Sequence, residues 1–275
     1  MSKRIVHSFL KFPQCSGLKL ISNLACFTLS CIYIKRHKGF KAILYADKWT
    51  VDTMQKIGAP YDEFHIIAPP KYPHSNIYAY PKFIAMAQEP LGSIHIDGDV
   101  FIWGDNMESL LNFDGYDIIC QNIETYTNMG AKWAWELARK ECLKCIYPKW
   151  ARRECISMFN CGVIGINNQK LKDEYFEMYW HMLEQYKTKH INNAGVPDII
   201  FEQQFLMDYC KYNNHKVKFL LDEYDLVKSA RRIGYLHLIG DSKYSVNNIK
   251  SVIEKIHKEN PGIYKKLKEV TKYIK

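Results

Sequence analysis

With 275 residues, 47% of them hydrophobic, the chain has enough apolar material for one large core, which excludes a disordered or low-complexity protein. A formal charge of +9 points to an anionic partner or surface without saying which. Nine scattered cysteines, with no signal peptide ahead of them, read as reduced thiols in a cytoplasmic protein.

In chain order, Lys3 to Phe9 predicts a first strand, and Leu18 to Arg36 a long apolar helix. Asn23, Ser22, Thr28 and Ser30 interrupt that helix, so it reads as buried against a sheet and not as a membrane span. Lys41 to Tyr45 is a second strand, Thr50 caps a short helix that stops at Gly58, and Tyr61 to Ile67 is a third strand. A Pro-rich loop leads to a helix opened by Pro81. Ser93 to Trp103 then reads as a central strand. Three β-α rounds with continuous apolar strands imply an α/β fold with a mainly parallel sheet, flanked by helices on both faces.

Asp105 and Glu108 have the spacing of a capping box, and Asp117 to Gln121 is a further strand. Ala131 to Cys145 is amphipathic and Trp-rich. Cys142 and Cys145 form a C-x-x-C pair with Cys155 and Cys161 downstream, which makes zinc a candidate; the helical pattern around the pair and the lack of a second tight pair argue against it. Phe159 to Asn167 is a buried strand, and Leu171, Tyr175, Met178, Tyr179, Met182 and Tyr186 make a helical stripe. Asp198 can cap a helix carrying Glu202, Gln203 and Gln204, and a short strand follows at Val217 to Leu221. From Ser245 onward the chain is helical and basic, with Lys250, Lys255, Lys258, Lys265, Lys266, Lys268, Lys272 and Lys275 among few acids. A solvated face explains such a run; peripheral contact with the anionic inner face of a membrane is the alternative. No linker or repeat appears, so residues 1–244 are expected to form one catalytic domain and 245–275 a basic helical extension.

The chemistry centres on Ile96-Asp97-Gly98-Asp99-Val100. Residues i and i+2 of a strand share a face, so two carboxylates can converge there, with a glycine between them that lets another group approach. Like charges so close repel unless a cation sits between them or one carboxyl keeps its proton. Tyr235 to Lys243 adds an H-x-x-G-x-x-K pattern, in which His237 offers an imidazole, Gly240 a backbone N–H, and Lys243 a cation. Two carboxylates and an imidazole suit Mn²⁺ (or Mg²⁺) better than an all-oxygen Ca²⁺ cage, and the glycine and lysine are parts that hold a diphosphate.

These stretches, with F-N-C-G-V-I-G-I-N at 159–167 and F-E-Q-Q-F-L at 201–206, resemble in order the GT-A-fold nucleotide-sugar glycosyltransferases of the glycogenin and lipopolysaccharide galactosyltransferase family, a Rossmann-like α/β fold. The resemblance implies Asp97, Asp99 and His237 as metal ligands. It places Lys82, Asp97, Gly98, Gly240 and Lys243 at the donor, and Asn160 and Gly162 along the donor-sugar or acceptor pocket. Glu202 and Gln203 fall beneath the reacting carbon, with Glu202 the general base if the reaction inverts and either residue a stabiliser if it retains. The implied reaction moves a sugar from a nucleotide diphosphate, uridine-based, to a hydroxyl of a glycan or glycolipid, as in cell-surface polysaccharide synthesis. The chain departs from the family's pattern with Glu202-Gln203-Gln204 where the family has D-Q-D, and with Tyr244-Ser245 where it has Pro-Trp.

Two rivals compete. A phosphatase of the haloacid-dehalogenase type also places D-x-D after a strand, and Ile239-Gly240-Asp241-Ser242 resembles its late element, but Ser245 stands where the second acid belongs and Phe101 where Thr or Val is usual. A non-enzymatic nucleic-acid-binding protein would explain the charge, yet no basic stripe interleaved with aromatics appears outside the tail.

Overall fold

The computed structural model describes residues 2–12, 15–69, 77–125, 148–151, 157–187, 197–222 and 225–274. Strand β1 (Lys3–Phe9) is flanked in parallel by β2 (Phe40–Ala46) and β4 (Ile94–Ile96), and β3 (Glu63–Ile66) extends β2 in parallel. Beyond β4 lies β7 (Ser157–Ile166), antiparallel to β4 and to its other neighbour β6 (Ile118–Thr125); β8 (Val217–Phe219) closes the edge parallel to β6. The order is therefore β3-β2-β1-β4-β7-β6-β8, with β7 alone reversed. A mainly parallel α/β sheet is what the continuous apolar strands predicted, since a strand covered on both faces has no need for polar alternation.

Helices α1 (Gly17–Lys35), α2 (Lys48–Ile57), α3 (Ala79–Gln88), α4 (Met107–Leu110), α5 (Gln169–Lys187), α6 (Phe205–Tyr212), α7 (Leu226–Ile233), α8 (Val246–Glu259) and α9 (Pro261–Thr271) flank the sheet. One apolar cluster gathers β1, β2, α1 and residues of the last two helices; a second gathers β6, β7, α3, α5 and α6. Phe83 of α3 stacks on Tyr179 of α5 at 3.4 Å between ring centroids, so the expected stripe of α5 is core.

Several local expectations are corrected. Ser93 to Trp103 is not one strand: β4 ends at Ile96, a turn occupies Asp97 to Asp99, and β5 (Val100–Ile102) belongs to a separate two-stranded sheet with β9 (Tyr235–His237). Asp97 and Asp99 thus converge around a turn and not along a strand face. Asp47, not Thr50, caps α2, accepting from the Thr50 backbone N–H at 3.0 Å; a carboxylate three residues before the donor has the right reach. No capping box forms at Asp105 and Glu108, because α4 begins after Asn106, which makes no side-chain cap. Asp198 does not cap the segment that carries Glu202; it serves the N-terminus of α3 instead. It lies inside a wide, π-type turn (Pro197–Gln204), and its Oδ1 accepts from the Ala79 N–H at 2.8 Å. The amphipathic segment 131–145, Cys142, Cys145 and Cys155 lie outside the described residues, and the six described cysteines are free and buried.

Helix α1 is long and apolar enough to cross a membrane by length and composition, yet most of it is buried. The reason lies at the other end of the chain. Ile249, Val252 and Ile256 of α8, and Ile263 and Leu267 of α9, are buried, with α8 against α1 and α9 against α2, while the described lysines among those expected to make the tail basic point outward.

Under α1, His7 of β1 is fully buried, its Nδ1 2.6 Å from the Tyr61 hydroxyl and its Nε2 3.1 Å from Ser30 Oγ. Ser30 in turn donates to the Val100 carbonyl at 2.7 Å, tying β1, α1 and β5 together. Burial pushes the His7 imidazole down to about 3, against the opposing pull of Asp99. A depressed histidine contributes stability that is complete above the unfolded value near 6.5 and is lost as pH falls toward 3. From this group alone, unfolding free energy should fall by about 1.4 kcal/mol per pH unit across that window. Urea titrations at pH 7.5, 6 and 4.5 should show that slope reduced by a similar amount in His7→Gln; equal slopes would disprove the assignment.

Candidate active site

The turn after β4 is held by main-chain bonds on three sides. The Asp97 N–H donates to the Gly162 carbonyl at 2.8 Å, the Val100 N–H closes the turn on the Asp97 carbonyl at 2.9 Å, and the Leu238 N–H donates to the Asp99 carbonyl at 3.0 Å. Gly98 sits at its tip because a Cβ there would lie 2.4 Å from the Phe27 ring of α1. The group that this glycine lets approach is thus a core aromatic. Since Val100 pairs with His237 across β5 and β9, the imidazole is carried to the carboxylates. Ligand atoms of Asp97, Asp99 and His237 all lie within 4.8 Å of one another.

Two lysines neutralise these carboxylates. Lys243 Nζ is 2.7 Å from Asp99 Oδ2. Burial would raise the Asp99 carboxyl, but Lys243 and His237 together hold it well below the usual range. Lys82 Nζ, on α3, lies 3.0 Å from Asp97 Oδ1 and 2.6 Å from Glu202 Oε1, and it donates to the Cys161 carbonyl at 2.9 Å. Burial would lower the Lys82 ammonium; the two carboxylates reverse that and keep it charged. Burial pushes Glu202 up to about 7 in spite of Lys82, and Asp97, sharing the same ammonium, adds to the rise. The wide turn Pro197–Gln204 delivers Glu202 to this position, fixed by the Tyr175 hydroxyl, which donates to the Glu202 carbonyl at 2.9 Å.

Behind the imidazole, His237 Nδ1 is 2.8 Å from Gln121 Oε1, which also accepts from the Tyr235 hydroxyl at 2.6 Å. With Nδ1 so engaged, Nε2 is the nitrogen turned toward Asp99, 3.4 Å from its Oδ1. Asn160 spans the reversed strand: its Oδ1 accepts from the Gly162 N–H at 2.9 Å and its Nδ2 donates to Glu124 Oε1 at 2.6 Å.

These groups surround a cavity of about 490 Å³, and all the residues expected at the site line it: Lys82, Asp97, Gly98, Asp99, Asn160, Gly162, Glu202, Gln203, His237, Gly240 and Lys243. Gly240 adopts a left-handed φ of 61° at the start of the turn Gly240–Tyr244, a conformation open to glycine without strain. Tyr78, Glu124 and Asp198 also line the cavity, and Gln121 braces it; the sequence reading placed none of them at the site, and took Asp198 only for a helix cap.

A family model covers residues 18–270 of the chain. The chain belongs to the family of unknown function DUF6734. No curated protein matches it. Among solved structures it is similar to the glycosyltransferase GlyE of Streptococcus pneumoniae TIGR4, with 11% identity, 98% of this chain and 64% of that one covered, and a TM-score of 0.50. It is also similar to an active-site mutant of LgtC, with 13% identity, 93% and 95% covered, and a TM-score of 0.51. The chain therefore spans just under two thirds of the GlyE chain's length. At these identities the likeness shows the fold, which is GT-A-like, and this DUF6734 chain shares it. Neither the phosphatase nor the nucleic-acid reading gains support from that fold.

Removing Lys82 leaves two carboxylates facing each other without their shared cation. Lys82→Met should cost about 3–5 kcal/mol in chemical denaturation. Lys82→Met with Glu202→Gln should lose less than the sum of the single losses; strict additivity would show that the pair does not interact.

Proposed function

We propose that this protein is a glycosyltransferase that moves a sugar from a nucleotide diphosphate, uridine-based, to a hydroxyl of a glycan or glycolipid acceptor. The observation that carries the reading is the meeting of Asp97, Asp99, His237 and Lys243 on one wall of the cavity of a GT-A-like fold. The donor set of two carboxylates and one imidazole nitrogen, with its other nitrogen already engaged, fits Mn²⁺ or Mg²⁺. When bound there, such an ion would act as a Lewis acid on the departing diphosphate.

The charges of the cavity support a need for the ion. Among the described residues, Asp97, Asp99, Glu124 and Asp241 line it, with Glu202 and Asp198 pushed up by burial to about 7 and about 8, against Lys82 and Lys243, both already paired with acids. A diphosphate entering this acidic cavity would be repelled without added positive charge. With a cation held by Asp97 and Asp99, Lys243 would be free to turn to phosphate oxygens while Lys82 keeps its bond to Glu202. The bond between the anomeric carbon and the diphosphate oxygen breaks, the electron pair leaves with the nucleotide, and the acceptor oxygen bonds to the carbon and passes its proton to the departing diphosphate oxygen. Glu202 is committed to Lys82, so Gln203, the less buried of the two, is the residue we place beside the anomeric carbon. The remaining acids favour an uncharged acceptor.

Thermal unfolding tests this directly. Uridine diphosphate should raise the melting temperature by several degrees with Mn²⁺ present and not in EDTA, because a ligand that binds only the folded state stabilises it. Asp99→Asn and His237→Ala should remove the response. A response that survives in EDTA, or in Asp99→Asn, would overturn the proposal.

We further propose that the outward lysines of α8 and α9 hold the enzyme against anionic membrane, where a glycolipid acceptor would lie. Deleting the tail is a poor test, since it would expose the apolar contacts of α1 and α2. Replacing Lys265, Lys268 and Lys272 with Glu keeps those contacts and should abolish flotation with phosphatidylserine vesicles; unchanged flotation would disprove the contact.

A further inference from the structure

Gln121 occupies an irregular place in the sheet. The β6–β7 register passes from Cys120 opposite Ile164 to Asn122 opposite Asn160, and Gln121 has no partner in it. The surplus lies on β7, where Cys161, Gly162 and Val163 stand against the single Gln121, and such a bulge locally disrupts the ladder. Its main chain is tied on the other side, where its carbonyl accepts from the N–H groups of Leu220 and Leu221 at 3.1 and 2.9 Å. The side chain is buried, and its Oε1 receives two donors from β9, the Tyr235 hydroxyl and His237 Nδ1. Tyr235 and His237 are two apart on one strand and so share a face, which brings both donors to one oxygen. Two bonds use both lone pairs of that oxygen.

Gly162 completes the fit. A Cβ at that position would lie 2.5 Å from Gln121 Oε1 and 2.6 Å from His237 Cε1. The bare backbone of β7 is thus the surface on which the amide and the imidazole meet, so this glycine makes room for the pair as well as bordering the cavity.

We propose that Gln121 is a positioning residue for the metal site: it keeps the proton of His237 on Nδ1 and so presents the Nε2 lone pair beside Asp97 and Asp99. The inference rests on the metal-dependent reading above. A polar group that orients a metal-binding histidine contributes through tautomer and angle, and its loss weakens metal binding by roughly 10- to 100-fold. A residue that merely filled space behind His237 would leave the tautomer unaffected.

The test joins two readouts. Two-bond ¹H–¹⁵N correlation spectra of the metal-free protein should show His237 with its proton on Nδ1. Gln121→Met, of similar length but with no acceptor oxygen, should populate both tautomers. It should also bind Mn²⁺ alone roughly 10- to 100-fold more weakly than wild type, followed by the paramagnetic resonance of free Mn²⁺. Gln121→Glu, which keeps an acceptor, should retain the Nδ1–H tautomer. Tyr235→Phe, which leaves the His237 bond intact, should keep both tautomer and affinity near wild type. A wild-type proton on Nε2, or Gln121→Met binding Mn²⁺ as tightly as wild type, would overturn the role of Gln121 alone. Wild-type protein that binds no Mn²⁺ would instead overturn the metal-dependent reading, and this role with it. The wild-type tautomer keeps the proposal falsifiable even if Gln121→Met fails to fold.

Discussion

The site depends on how the main chain is fastened at Asp97 and Asp99. The backbone of Asp97 is bonded to β7 through Gly162, and that of Asp99 to the segment after β9 through Leu238. Two residues apart, they are fastened to different sheets, and the turn they form is where the large sheet hands the chain to the small one. The convergence is therefore not a property of the D-G-D segment by itself. Asp97 is aimed by the reversed strand, and Asp99 by the antiparallel ladder that also carries His237. The core enters as well, since Phe27 of α1 fills the space that Gly98 leaves empty. A larger residue at the tip would push the helix and the turn apart and so disturb both carboxylates at once.

Buried charge of this density is costly, and the fold offsets it by sharing. Lys82 serves Asp97 and Glu202 and still reaches a main-chain carbonyl; Lys243 serves Asp99. A buried ion pair adds little net stability over an apolar substitute, but losing one member strands the other in a poor solvent. Such pairs suit a site whose charges must rearrange when an anion and a cation arrive together. The wide turn Pro197–Gln204 belongs to the same solution, because an ordinary helical turn spaces its side chains differently and would carry Glu202 elsewhere.

The sheet was largely legible in the sequence because β2 and β7 are apolar runs broken internally only by Lys41 and Asn160, and α5 carries a clean stripe. The site was legible as a set of residues, since every candidate lines the same cavity. Its geometry was not. Apolar residues on both sides of D-G-D look the same whether the chain stays in one sheet or changes to another, so the turn was read as a strand. Helix α7 was passed over because L-V-K-S-A-R-R-I spans barely two turns and buries only Ser229 and Ile233 fully. Gln121 was hidden for another reason: its importance lies in an interruption of the ladder, and no local pattern announces a break in pairing. Asp198 looked like a cap by residue type, but its partner, the Ala79 N–H, is 119 positions away in the chain.

The two ends of the chain explain one another. Helix α1 is apolar on nearly all sides because the sheet covers one side and α8 the other, which is also why its composition mimics a membrane span. Covering it leaves the lysines of α8 and α9 no place but the outside. Among the described residues, positive charge thus gathers on the outer helical layer and acids inside the cavity. Under the proposed reading the two regions act in sequence on an anionic donor. The outer field draws it toward the protein, and the cavity then admits it only together with a cation. Ion and nucleotide should therefore strengthen each other's binding, each supplying the charge that the other lacks.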